Sequence, residues 1–426
     1  MDTPSSGPSL LATLRDVTFR SLRHRNYRLY FYGQIVSFTG SWMQSAALLW
    51  LVYDATADAL WPALMIVAQL GPTLLLGPVG GSLADRFSRR KVIVCTQLLF
   101  LVNALLLTLV VATNCASPWL LFTLALANGA IQAIDLPARL AYVPDLIPRV
   151  DLINAVSLNS LLFNTARAIG PALAGGLFLL AGWLVPFLPE TRPVILGSIG
   201  CFLLNAMSYL AMLAALRRID ATESDHQSKP TGSPLEGFRY ILARPVLAAL
   251  LVCTGLVSVF GWPTLVLFPP YTRLVLQHAE KEYSLLVSAL GLGALLAALA
   301  NATYGTPART RVFVILGSSL TALGILGLAL GNTMPGALLS SAVFGFGMIL
   351  YLSTGQSVLQ LNTPNEARGR VMVLWPMTLS GSTLLGNLVF GWAAREYPIP
   401  DLLAVMAGGV GLTALVILGL VVALRR

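Results

Sequence analysis

The chain has 426 residues, 56% of them hydrophobic and only 11% charged, with a mean hydropathy of +0.77. A soluble chain carries about 25% charged residues, so this composition excludes a soluble globular protein and predicts an integral membrane protein. The net charge of +9 does not point to nucleic acid, because the basic residues sit in short links between apolar runs, where they set membrane orientation.

Residues 1–9 are rich in Ser, Pro and Gly and are expected to be disordered. Leu10 to Tyr27 sets Leu11, Leu14, Val17, Phe19 and Leu22 among Arg15, Arg20, Arg23 and Arg25. That pattern predicts a basic amphipathic helix on the inner membrane surface, an anchoring preface to the first span. Residues 1–27 thus read as a cytoplasmic N-terminal segment, with no cleavable signal visible in it.

Twelve apolar runs follow, near 28–53, 61–84, 91–113, 118–140, 152–183, 193–216, 245–268, 284–304, 312–331, 336–360, 371–392 and 402–424. At 1.5 Å rise per residue, roughly 20 residues cross a hydrocarbon core of about 30 Å as a helix. The predicted fold class is an all-α integral membrane protein with twelve transmembrane helices. Between the sixth and seventh runs lies Arg217 to Arg244, the only long polar stretch. It divides a six-helix bundle at 28–216 from a second at 245–426, with 217–244 as a cytoplasmic linker. Leu235 to Leu242 within it is expected to form a short amphipathic surface helix. Cys95, Cys115, Cys201 and Cys253 lie in or beside apolar runs, without metal-type spacing, and read as small core residues.

Orientation follows from counting Lys and Arg. With the N-terminus inside, 22 of the 27 fall in inner segments, four (Arg192, Arg273, Lys281 and Arg395) fall in outer ones, and Arg167 lies within a span. The imbalance places both termini in the cytoplasm.

The link after the second run reads Gly81-Ser82-Leu83-Ala84-Asp85-Arg86-Phe87-Ser88-Arg89-Arg90-Lys91. Its shortness makes spans two and three antiparallel neighbours. Its glycines allow close backbone approach, and Asp85 can accept hydrogen bonds from orphan N–H groups at a neighbouring helix N-terminus. The corresponding link after the eighth run is Gly305 to Arg311, and Pro144 to Arg149 corresponds to Thr363 to Arg370. This weak half-chain symmetry fits two six-helix bundles rocking about a site between them.

The stretch from Gly81 to Lys91 resembles the signature loop between spans two and three of the major facilitator superfamily, with Ser88 where that family usually has glycine. Ala166 to Gly176 in the fifth span is similar to the Gly-Pro motif of proton-linked exporters. Asn154 to Ser160 and Arg368 to Met372 further resemble the branch containing the enterobactin exporter and macrolide efflux proteins.

The resemblance implies that Asp85 contacts the start of span eleven, near Arg370 and Val371, and latches the two halves together. It implies that Arg86, Arg89 and Arg90 join the same cytoplasmic gate, with Asp135 or Asp145 as acidic partners. Gly170 and Pro171 would bend span five and allow its close packing against span eight, with Gly175 in the same packing face. Plainer readings stand beside these: a turn that only sets topology, and ordinary close helix packing through small residues.

A charge inside hydrocarbon costs several kcal/mol, so an ionisable side chain there faces a cavity or a partner. Span four places Asn128, Gln132, Asp135 and Arg139 on one helix face, and span five places Ser157, Ser160, Asn164 and Arg167 on one face. Span one adds Gln34, Ser37, Ser41 and Gln44, and span two adds Gln69. Span ten contributes Ser353, Gln356, Ser357 and Gln360, and span eleven Ser380, Thr383 and Asn387. These stripes predict a polar cavity between the halves, bounded by Trp50, Trp262 and Trp375. Arg167, near the middle of span five, either holds an anionic substrate group or pairs with Asp135. Asp135 is the candidate proton carrier, or else a member of the cytoplasmic gate.

Enzyme readings are poor. The three histidines, His24, His226 and His278, all lie in links, so no His-based metal or nucleophile site assembles in the membrane. No Walker loop appears. No cofactor is expected, and a proton gradient is the expected energy source. The expected function is a secondary active, proton-coupled exporter of a small amphipathic molecule, drug-like or siderophore-like. Such a carrier works as a monomer in a bacterial inner membrane, with the lipid bilayer and a small substrate as partners. The alternatives are a lysophospholipid flippase, an uptake carrier, or a non-transporting receptor or assembly subunit.

Overall fold

A computed structural model describes residues 19–187, 192–220, 234–306, 308–364 and 371–423. Side chains at 78, 84, 85, 149, 153, 157, 160, 234–237, 422 and 423 lie outside that description, as do Arg370 and residues 10–18 of the expected surface helix, whose described part is a single 3-10 turn, Arg20–Arg23, running into the first long helix. The described residues contain helices and no strand.

In chain order the long helices are α1 (Arg25–Thr56), α2 (Leu60–Arg86), α3 (Arg89–Ala112), α4 (Pro118–Leu146), α5 (Leu152–Leu184) and α6 (Pro193–Arg217). After the short helix Pro234–Leu242 come α7 (Pro245–Val275, interrupted), α8 (Glu280–Tyr304), α9 (Thr310–Leu330), α10 (Met334–Leu361), α11 (Leu374–Ala393) and α12 (Ile399–Ala423). Among the described residues, 11 helices are long and apolar enough to cross a membrane. The twelfth position is held by α11, which is 20 residues long and falls outside that set. Ser380, Ser382, Thr383 and Asn387 along it lower its hydropathy.

Local chemistry fixes the helix ends. Ser117 accepts from the Leu120 N–H, and Pro118 fills the first turn, where no N–H donor is needed. Ser88 caps α3 by accepting from the Lys91 N–H at φ −51°. The position that is usually glycine in the resembling loop therefore needs no glycine here, and the hydroxyl serves as a helix cap instead. Ala57 closes α1 in the left-handed region at φ 52°. In α7, Pro263 follows Gly261 and Trp262, and Pro269 and Pro270 precede a π-turn over Tyr271–Val275. Each proline removes a backbone donor, so α7 runs in three short pieces.

The helices pack as two groups. One is α1 to α6, with α1 against α5 and α6, and α2 against α4; the other is α7 to α12, with α10 against α8 and α9, and α12 against α9. The groups meet along two seams, α5 on α8 and α2 on α11. A Cβ at Gly291 of α8 would stand 2.5 Å from Ala168 Cα, and one at Gly175 of α5 would stand 3.0 Å from Ser284 Cβ. The α5–α8 seam is therefore a close contact over about two turns, against backbone at Gly291 and against the Ser284 side chain at Gly175. Gly170 differs from expectation: it faces α1, where a Cβ would meet Trp42 Cβ at 2.6 Å and the Thr39 carbonyl at 2.8 Å. The contact with span eight is made by Ala168 and Gly175 instead. Gly81 differs too, since a Cβ there would meet open space, while at the neighbouring Gly80 it would collide with the Ala133 carbonyl.

Candidate functional site

Arg167 lies near the midpoint of α5 and is 7% exposed. Its Cζ stands 5.1 Å from the ring of Trp42 on α1, 5.1 Å from Phe163 on its own helix and 5.5 Å from Trp262 on α7. Two rings come from one helix group and the third from the other, so the box straddles the boundary between them. Gly170 lets α1 approach α5 closely enough to bring Trp42 beside the guanidinium, and the break at Gly261–Pro263 carries Trp262 to it. Arg167 Nε and Nη1 have no hydrogen-bond partner among the described residues. A guanidinium over aromatic faces gains about 0.5–2 kcal/mol per good contact.

Asp135 does not pair with Arg167. Its carboxylate accepts from Thr96 Oγ1 at 2.6 Å and Gln97 Nε2 at 3.3 Å on α3, and it forms an ion pair with Arg139 one turn along α4. Asp135 and Arg139 are 4% and 5% exposed. Arg139 Cζ sits 5.1 Å from the Phe38 ring, which is edge-on to Phe163 at 5.8 Å. Aromatic contacts thus connect the Asp135–Arg139 pair to the ring that covers Arg167.

At the far end of the bundle, where α1 finishes, polar contacts join the two groups. Asp54 accepts from Arg273 of α7 at 2.7 Å and from Arg192 at 2.7 Å. Asp58 receives the Arg395 guanidinium through Nε at 3.1 Å and Nη2 at 2.5 Å. Beneath them Trp50 stacks on Tyr283 of α8 at 5.3 Å. Burial pushes the Asp58 carboxyl upward, but hydrogen bonds from Arg395 and the Leu60 N–H, with the Arg395 charge, outweigh it and hold the group below the usual carboxylate range. The bond to Asp58 likewise raises Arg395. None of these residues was singled out in the sequence beyond its loop charge or its bulk.

At the opposite end, Arg89 donates to both oxygens of Asp145, at 3.0 and 2.9 Å, within the first helix group. Arg90 donates to the Leu216 carbonyl at 2.7 Å, and Arg86 is exposed. Asp85 lies in the last turn of α2, but its side chain and the whole of Arg370 fall outside the described residues.

The other candidates scatter. Gln44 accepts from Asn205 of α6 at 2.8 Å, and Ser41 shares a hydrogen bond with Tyr209 at 3.1 Å, so both belong to an α1–α6 network. Gln34 and Asn164 are buried, Asn128 and Gln132 half-buried, Gln356 exposed, and Pro171 lies buried in α5. Asn387 is 1% exposed, and neither of its amide atoms has a partner among the described residues. The polar face of α10 turns partly away from the seam: Ser353 accepts from Asn301 of α8 at 3.0 Å. Thr354, Ser357 and Gln360 line a cavity of about 430 Å³ with Asn301 and Thr310, inside the second helix group.

Comparison with known proteins extends this geometry. The chain is 28% identical over 371 residues to the enterobactin exporter of Shigella boydii serotype 18, covering 85% of this chain and 83% of that one. It is 23% identical over 383 residues to the staphyloferrin A transporter of Staphylococcus aureus, covering 89% and 92%. Among solved structures, its fold resembles the nucleoside transporter NupG (TM-score 0.69, 12% identity, 92% and 98% coverage). It also resembles a bacterial homologue of the iron transporter ferroportin in the inward-facing state (TM-score 0.66, 17% identity, 93% and 98% coverage). Residues 16–426 match the family described as transmembrane secretion effector, and with two helix groups meeting at Arg167 the chain belongs to that family, within the major facilitator superfamily of transporters.

Proposed function

We propose that this protein is a proton-driven exporter that moves a small amphipathic, siderophore-like molecule across a bacterial inner membrane by alternating access. The observation that carries the reading is the far end of the bundle, where ion pairs and a ring stack join the two helix groups above a buried cationic site. A carrier needs a seal on one side of its site that can break while the site itself persists. Single ion pairs with one exposed partner are suited to this, because they form and break at small cost.

The distribution of Lys and Arg supports assigning the sealed end to the outer face and both termini to the cytoplasm. The Asp85 loop then serves as the latch for the inner end. The substrates named for the enterobactin exporter and the staphyloferrin A transporter support a siderophore-like ligand. Asp135 is the proposed proton carrier, because it is buried within α4 and connected through rings to the central site. A monomer is the proposed carrier, because both helix groups that flank Arg167 come from one chain.

The test is flux from proteoliposomes loaded with siderophores, macrolides or dyes, with and without a pH gradient. Export stimulated by the gradient supports the reading, and Asp85→Asn is expected to weaken it while leaving the protein folded. Binding without any exchange in a counterflow assay would indicate a receptor and would sink the proposal.

A further inference from the structure

We infer that the molecule held at Arg167 is an anion bearing a flat aromatic face, the class represented by aryl carboxylates; this rests on the transport reading of the same site. Arg167 is more than nine-tenths buried, and its Nε and Nη1 have no partner among the described residues. A buried charge without a counter-ion is unfavourable, and the rings of Trp42, Phe163 and Trp262 compensate it only in part.

Among the described residues, no carboxylate pairs with Arg167. Asp135 is engaged by Arg139, Thr96 and Gln97, and Asp54 and Asp58 are engaged by arginines at the far end. On this inference the missing negative charge arrives with the ligand. A carboxylate matches the planar fork of a guanidinium and can accept two parallel hydrogen bonds from it. The rings that surround the cation offer their faces and edges to an adjoining aromatic group. A neutral ligand of the same shape would fill the box and leave the guanidinium uncompensated.

The placement of the box adds a consequence. Trp262 belongs to the opposite helix group from Trp42 and Arg167, so a ligand seated there touches both groups at once. Its charge then favours the state in which the groups close around it.

The experiment is calorimetric titration of the full-length protein in nanodiscs with naphthoate and with naphthamide, its neutral isostere. Wild type is expected to bind naphthoate at least tenfold more tightly. Arg167→Gln is expected to remove that preference, leaving the two affinities equal, whereas Arg167→Lys retains part of it. Trp262→Leu is expected to weaken both ligands alike. Equal affinity of wild type for the two probes, no heat with naphthoate at millimolar concentration, or an unchanged preference in a folded Arg167→Gln protein each overturns the inference. The wild-type comparison stands even where a variant fails to fold. A clear anion preference without flux in proteoliposomes would overturn the transport reading and leave the ligand class intact. Gradient-driven flux of a neutral compound with no anion preference would do the reverse.

Discussion

Asp54 accepts hydrogen bonds from two arginines at the same distance of 2.7 Å, Arg192 from its own helix group and Arg273 from the opposite one, while its side chain is 3% exposed. On the alternating-access reading the two bonds would have different fates: Arg273 would leave with the second group as the far end opens, and Arg192 would stay to satisfy the carboxylate.

Substitutions at the two arginines should therefore act with opposite sign. Arg273→Gln weakens only the closed state and is expected to shift the population toward far-end opening by about 1 kcal/mol, roughly fivefold. Arg192→Gln leaves Asp54 unpaired when Arg273 departs and should disfavour opening by a similar amount. Distances between spin labels at the far ends of α1 and α7 measure both shifts. Movement in the same direction in the two variants would contradict the hand-over.

A second contact at that end responds to pH. The Asp58 carboxyl is held below its ordinary range by Arg395 and the Leu60 N–H in the closed state. A depressed carboxylate value means that the contribution is present above the unperturbed value of about 4 and is lost as pH falls through the depressed one. The far-end distances should stay constant from pH 8 to about 5 and lengthen only below about 4. Arg395→Gln is expected to remove that acid step, and opening that begins near neutral pH would point to another group.

The helix succession and the basic turn near Arg89 were legible because hydropathy and loop charge are properties of contiguous sequence. Arg167 was legible for the same reason, as a lone charge inside an apolar run. Its surroundings were not. Trp42 and Phe163 are indistinguishable from ordinary core aromatics by spacing, and Trp262 reaches the site only because α7 breaks beside it. The far-end pairs join residues 219 and 337 positions apart, so no local pattern announces them. Ser88, read as a departure from a glycine position, proved to be a helix cap. The polar stripe of α10 was expected to line a cavity between the halves, but its periodicity could not say which neighbour it faces, and Ser353 turns to Asn301 within its own group.

The seam between α5 and α8 gives a steric prediction. A Cβ at Gly291 would fall 2.5 Å from Ala168 Cα, 2.6 Å from Ala168 N and 2.7 Å from the Arg167 carbonyl oxygen, all backbone atoms that cannot rotate aside. Gly291→Ala should cost roughly 1–3 kcal/mol by overpacking and lower export by displacing α5 beside Arg167. Gly176→Ala on α5 would place its Cβ in open space and serves as the control. Thermal melting and flux measure the pair, and a Gly291→Ala protein as stable and active as the control would show that the seam readily gives way.

The Asp135–Arg139 pair separates a structural role from proton transfer. Replacing Asp135 by Asn alone leaves a 5% exposed arginine without its counter-ion, a loss of about 3–5 kcal/mol for a buried pair broken on one side. Poor folding of that variant would say nothing about coupling. Combining Asp135→Asn with Arg139→Gln removes both charges, and the new amide carbonyl can still accept from Thr96 and Gln97. The double variant is expected to recover most of the lost melting temperature, since neutral replacement of a buried pair is often tolerated. If Asp135 carries the proton, this folded protein should still bind ligand at Arg167 but export it at a rate independent of the pH gradient. Gradient-stimulated flux persisting in the double variant would assign Asp135 to packing alone and move the proton to another group.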